Sequence, residues 1–387
     1  MRRRLCGGCV MFFSRMALAS CLTVLGWIQP VIAVEPPTGG FTYQVDTSWP
    51  KLPLPNNWVL GEVGGLFVDA DDLVWVLNRP RTLNMRELSA ARNPPASRCC
   101  LPAPPVLAFD RDGNVVHAWG GPSEGYDWPS VEHGITVDHR GHVWLGGSST
   151  RVTAEGLKPD GMVLKFSREG KFLLQIGRAG GSRNSKDTTQ LFGAAAVAVD
   201  PKSNEAYVAD GYGNNRVIVF DADTGEPKRL WGAYGKPPTD DDVPRYTPGN
   251  PPSHQFRNVH CISVSRDSLV YVCDRDNNRM QIFRSDGSFI REHIIGAETR
   301  PPGTVGDISF WPDSAQTLLA VTDIGNFQIR LLRRSDGVEI FRFGEYGPWA
   351  GQLKQVHQAA FDSSGNIFAA ESAGKRVQKF TLVRSEE

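Results

Sequence analysis

Three of the eight histidines in this chain share one register of an internal repeat. His133, His260 and His357 each stand five residues ahead of the residue that closes a short apolar strand, Asp138, Ser265 and Asp362 in turn. Three further strands align with these and close at Asp69, Asp200 and Trp311; at the same offset they carry Gly64, Ala195 and Gly306. If the six strands surround an axis, imidazoles alternate with residues too small to obstruct them, and the three rings can converge on one point. A single histidine of this kind reads as a core residue hydrogen-bonded to a neighbouring blade. His117, His139, His142, His254 and His293 show no such register, so histidine content does not explain the alternation. Three neutral imidazoles with no carboxylate at the same ring position suit zinc better than calcium or magnesium, which prefer oxygen ligands. Copper and iron(II) are also compatible with nitrogen ligands. Three protein ligands with a fourth position open to a channel is the pattern of a catalytic zinc site, since a structural site is normally closed by four.

Other residues able to do chemistry lie in the turn after the second strand of a repeat. Asn78-Arg79 and Asp274-Arg275 align there with Asp210-Gly211, which is followed by Tyr212. Guanidinium groups beside a metal read as clamps for a substrate carboxylate, and salt bridges between blades are the competing use. Tyr212 is a candidate general base in that setting. The runs Asn214-Asn215-Arg216 and Asn277-Asn278-Arg279 are expected to be structural, the asparagines turning the chain and the arginines bridging blades.

The elements that must position these residues form a repeat: an apolar strand ending in Phe or Leu, a turn with Gly, then a second strand ending in a bulky residue and Gly. Copies run from Val106 to Gly120, Met162 to Gly177, Val217 to Gly232, Met280 to Gly296 and Ile329 to Gly344, and Val377 to Val383 begins another. Each is preceded by a further hairpin, such as Val197-Ala198-Val199-Asp200 with Ala206-Tyr207-Val208-Ala209-Asp210. Four short strands in about 45 to 60 residues make a propeller blade, so the expected fold is all-β, a six-bladed β-propeller. The sixth unit has only three strands; Phe41-Thr42-Tyr43-Gln44-Val45 alternates as a strand should and is expected to close the last blade. Insertions at Pro80 to Pro105, Ser148 to Gly161, Ala179 to Gln190 and Lys236 to Gln255 would rim one or both faces.

Forty glycines and 27 prolines in 387 residues agree with so many turns. Residues 1–33 hold four arginines and no acid, an apolar stretch around Met16 to Ile28, and Val31-Ile32-Ala33 as a small-residue cleavage site. They read as an export signal, with residues 34–387 as one domain, secreted or periplasmic. Lipid attachment at Cys21 within Leu18-Ala19-Ser20-Cys21 and an uncleaved anchor are the alternatives, and no later segment is long enough to span a bilayer. Without the signal, 38 basic residues face 42 acidic ones, a net charge of −4 that offers no electrostatic case for nucleic acid. Of seven cysteines, Cys99, Cys100, Cys261 and Cys273 remain; Cys261 and Cys273 fall opposite each other on a hairpin and could either pair or stay buried thiols.

The repeats resemble NHL repeats. The runs Tyr207-Val208-Ala209-Asp210-Gly211-Tyr212 and Cys273-Asp274-Arg275-Asp276-Asn277-Asn278-Arg279 are similar to the lyase domain of peptidylglycine α-amidating enzymes, over nearly the whole mature chain. That resemblance implies zinc on His133, His260 and His357, Tyr212 as the base, and Arg79 and Arg275 as the family's two arginines. It implies cleavage of a carbinolamide to glyoxylate and a primary amide, with a small-molecule or peptide substrate carrying a carboxylate; separately, the chain is expected to be a monomer. The family's calcium ligand follows the third histidine, where this chain has Gln358, so calcium is not expected; the family's methionine two residues before that histidine is Gln355 here, and its disulfide cysteines are not matched by Cys261 and Cys273. The chain carries no copper monooxygenase partner, so its natural substrate can differ. Two rival functions remain at this stage: an NHL propeller that only binds a protein or envelope polymer, and a metal-dependent lactonase, whose acidic and amide ligands the ring positions lack.

Overall fold

The computed structural model describes residues 34–37 and 40–384, so the expected export signal and Cys21 lie outside the described residues. Six four-stranded antiparallel sheets follow one another along the chain. Their first strands are Glu62–Val68, Glu132–Val137, Ala194–Asp200, Val259–Val264, Val305–Phe310 and Val356–Phe361. The last sheet is completed by Phe41–Asp46, which pairs with Arg376–Arg384 in a register running from Phe41 opposite Arg384 to Asp46 opposite Lys379. The fold is therefore the expected six-bladed propeller, with the ring closed by the N-terminal strand.

Most middle strands read as continuous apolar runs because each blade is covered on both faces. Along Val74-Trp75-Val76-Leu77, Val74 and Val76 pack towards the sixth blade, while Trp75 and Leu77 pack towards the second. The core is accordingly not one centre but six apolar wedges, one between every pair of neighbouring blades. Every wedge needs both of its blades, so the ring is held by its own closure.

A buried carboxylate fixes where most inner strands begin. Asp274, at the end of the second strand of blade 4, accepts from the Arg257 and Asn258 amides just before His260. Glu371 accepts from the Lys354 amide ahead of His357, and Asp210 from Phe192. Blade 2 has Gly147 at the equivalent place; there Asp160, from the insertion, takes the amides of Ser130 and Val131 ahead of His133. Asp210, Asp274 and Asp323 are each neutralised by Arg216, Arg279 or Arg330, and Glu371 by Arg376. This corrects the expectation for Arg216 and Arg279: each pairs within its own blade, and reaches across only to carbonyls or a hydroxyl of the preceding connection. Asn278 does turn the chain, at φ 53°.

All four insertions emerge on one face. Two follow second strands and two follow fourth strands, and in a meander both connections sit at the end where the inner strand starts. Cys261 lies directly across from Cys273, and the two are joined as a disulfide with Cα atoms 4.9 Å apart; Cys99 and Cys100 are joined likewise.

Asp307 is a partly buried acid with no cation beside it. In the inner strand of blade 5, it accepts from the Ala359 amide and lies beside Gln358. Protein surrounds all but a small part of it, and this burial pushes its carboxyl up to about 8. In the unfolded chain the group ionises near 4, so between about pH 4 and pH 8 rising pH favours unfolding.

Two outcomes follow for stability. Replacing Asp274 with Ala leaves the Arg279 guanidinium buried without its partner and two amides unsatisfied, and should cost about 3–5 kcal/mol in urea denaturation; a loss under about 1 kcal/mol would show that the latch is dispensable. Asp307→Asn should leave the melting temperature unchanged near pH 4 and raise it increasingly up to pH 8, and a pH-independent difference would contradict the protonated buried carboxyl.

Candidate metal centre

Each inner strand breaks register at the same level. The breaks fall between Val63 and Gly65, His133 and Ile135, Ala194 and Ala196, Val259 and Cys261, Val305 and Ile308, and Val356 and Gln358. A β-bulge leaves one residue out of the ladder and re-aims its side chain. His260 and His357 are themselves the extra residues. In blade 2 the extra residue is Gly134, one place later, at φ +63°; a Cβ there would lie 2.2 Å from the Ala195 carbonyl oxygen, so only glycine fits.

The bulges bring the three imidazoles together at the axis. Ring centroids are 4.8 Å apart for His133 and His260, 4.6 Å for His133 and His357, and 5.0 Å for His260 and His357. One nitrogen from each lies within 4.8 Å of the others, and all three residues are buried. His133 Nδ1 donates to the Ala195 carbonyl (2.8 Å) and His260 Nδ1 to that of Gly306 (2.7 Å), both on the next blade. The bond to a neighbouring blade is thus real, and with Nδ1 as the donor the lone pair of each of these two rings lies on Nε2. His260 Nε2 and His357 Nδ1 are buried with no hydrogen-bond partner. Burial holds all three rings well below the usual histidine range; Arg79 and Arg275, and for His260 and His357 the other imidazoles, depress them further. Neutral imidazoles with buried, unpartnered nitrogens fit a metal ion that takes nitrogen ligands, so the group could hold one.

The small residues between the histidines do not leave empty space. A Cβ on Gly64 would stand 2.7 Å from Arg79 Nε, and one on Gly306 would stand 2.5 Å from Ile324 Cδ1. In the third gap the Tyr212 ring centroid lies 5.0 Å from that of His133 and 5.7 Å from that of His260. Three histidines therefore alternate with a guanidinium, a phenol and an isoleucine. Tyr212 donates its hydroxyl proton to His133 Nε2 (3.0 Å) and accepts from Arg275 Nη1 (3.3 Å), whose Nε is held by Asp276 at 3.2 Å. Arg79 is set by the Glu132 carbonyl on Nε (2.7 Å) and by Glu62 on Nη1 (3.2 Å).

All six residues singled out in the sequence, His133, His260, His357, Tyr212, Arg79 and Arg275, come together on this one centre. Ile324 and Glu62 were missed. Ile324 had a signal: Asp323-Ile324 stands at the same offset as Asn78-Arg79 and Asp274-Arg275.

No protein-family model matches the chain. It is 29% identical over 354 residues to peptidyl-glycine alpha-amidating monooxygenase A of Xenopus laevis, covering 88% of this chain and 33% of that protein. It is 26% identical over 261 residues to a probable peptidyl-alpha-hydroxyglycine alpha-amidating lyase of Caenorhabditis elegans, 65% of this chain and 64% of that one. NHL repeat-containing protein 3 of Mus musculus is 24% identical over 287 residues, 72% of each. The chain thus spans about a third of the length of the amidating monooxygenase. Its fold is shared by a solved Bacteroides thetaiotaomicron protein of unknown function, with TM-score 0.52 and 15% identity over 89% of this chain and 77% of that one. This chain is a six-bladed β-propeller whose homologues are the lyase-bearing peptidylglycine α-amidating proteins and NHL repeat proteins.

Proposed function

We propose that this chain is a zinc-dependent lyase that cleaves the C–N bond of an α-hydroxyglycine-type carbinolamide, giving a primary amide and glyoxylate. The observation that carries the reading is the Tyr212 hydroxyl, 3.0 Å from a histidine nitrogen and 3.3 Å from an arginine, at the edge of three neutral imidazoles. The resemblance to proteins named as amidating lyases supports it. The disulfides, together with the absence of any described helix long and apolar enough to cross a membrane, support a secreted or periplasmic location.

His133, His260 and His357 would hold the metal. When bound, zinc supplies a Lewis acid that makes a hydroxyl oxygen more acidic. Arg79 and Arg275 bind the carboxylate, because both are cationic and border the histidines. Tyr212 acts as the phenolate, its own proton given up to solvent beforehand and its negative charge supported by the Arg275 hydrogen bond, and accepts the hydroxyl proton. The electron pair of the former O–H bond becomes the second bond of the glyoxylate carbonyl. The C–N pair leaves with the amide nitrogen, which takes up a proton.

Elemental analysis of the purified protein should find close to one zinc per chain, and none in His260→Ala. Tyr212→Phe should keep its zinc and release glyoxylate from an N-acyl-α-hydroxyglycine about 10²–10⁴-fold more slowly than wild type. A protein that takes up no metal, or that is fully active without it, would refute the reading; the former result would favour a propeller that only binds.

A further inference from the structure

We propose that Ile324 determines which α-hydroxy acids the centre admits, restricting it to those with hydrogen, not an alkyl group, as the fourth substituent on the carbon that bears the hydroxyl. The inference rests on the lyase reading and names the substrate class within it.

The argument starts from the three gaps between the histidines. The gap between His357 and His133 is taken by the Arg79 guanidinium, and the one between His133 and His260 by the Tyr212 phenol. The gap between His260 and His357 is taken by Ile324, which follows the second strand of blade 5. It packs so closely over Gly306 that a Cβ there would sit 2.5 Å from its Cδ1 and 2.6 Å from its Cγ1. Ile324 is buried, at 4% exposure, yet belongs to none of the six apolar wedges between blades. A buried aliphatic side chain outside the core, packed over the ring position that alternates with His260 and His357, is placed to meet a ligand and not to hold blades together.

Each sector of the centre then has its own chemistry. The arginines attract the carboxylate, and the Tyr212 sector takes the hydroxyl. An acylamino group of any size needs the open face. The fourth substituent of the carbon is left to the Ile324 sector, where the isoleucine side chain and the Thr322 hydroxyl already close on the backbone at Gly306. Hydrogen fits there. A methyl group must displace Ile324, and one extra methyl against a packed wall is worth about 10- to 200-fold in selectivity.

The test is calorimetric titration of zinc-loaded protein with glycolate and with each lactate enantiomer, which differ from glycolate by one methyl group. Wild type should bind glycolate and the lactate enantiomer whose methyl takes the open acylamino face about equally, and should disfavour the other enantiomer, whose methyl meets Ile324, by tenfold or more. In Ile324→Ala this difference between the enantiomers should fall to within about threefold, and in Ile324→Val, which removes only Cδ1, it should lie between. Circular dichroism and zinc content should match wild type in both; if the alanine variant fails to fold, the valine variant decides. A difference between the enantiomers that is absent in wild type, or unchanged in the variants, overturns the role of Ile324 while leaving the lyase reading intact. Failure of wild type to bind any of the three acids, with no glyoxylate released, overturns both.

Discussion

The centre depends on a short hydrogen bond far less conspicuous than the histidines: the one between a buried carboxylate and the backbone amide where a histidine-bearing strand begins. Asp160, Glu371 and Asp274 each set that start two or three residues ahead of a ring nitrogen. Ionised carboxylates are costly to bury alone, and Arg279 and Arg376 neutralise two of the three. Asp160 has only backbone and serine donors, and burial raises its carboxyl above the usual range. Such pairs are weak contributors to net stability and strong contributors to a unique arrangement, because every alternative strands a charge. Register fixed at the strand start is carried inward by the ladder, and the bulge converts it into direction.

Charge around the centre is one-sided. Three imidazoles that cannot readily protonate face two guanidiniums, and the nearest acids are turned to other tasks: Glu62 steadies Arg79, Asp276 steadies Arg275, and Glu132 is held by Trp128 through its side chain. The two guanidiniums make such a centre attractive to an anion. The neighbouring blade fixes the tautomer, because each carbonyl that accepts from an Nδ1 leaves the lone pair on Nε2.

Much of this was legible in residue order, for a physical reason. A propeller repeats one backbone geometry six times, so equivalent positions can be found by counting, and histidine, glycine and alanine at a single offset stand out. The strands Val74-Trp75-Val76-Leu77 and Leu318-Leu319-Ala320-Val321 announce burial on both faces without structure. What could not be counted was whatever an insertion supplies. Asp160 does for blade 2 what the second strand does elsewhere, and no spacing predicts that. Glycine at the ring was read as clearance; at Gly64 and Gly306 it is in fact the seat of a side chain from the adjacent strand. Asp307 was likewise silent, since its burial comes from a neighbouring blade.

The N-terminal strand that completes the last blade couples the two ends of the chain to chemistry at the middle. His357 lies in that last sheet, so its position depends on a strand separated from it by most of the sequence. Contacts of that span form late, because the loop they close must be ordered first. A chain that has not yet reached its sixth blade has two of the three imidazoles and lacks His357. The three imidazoles therefore converge only once the ring is closed.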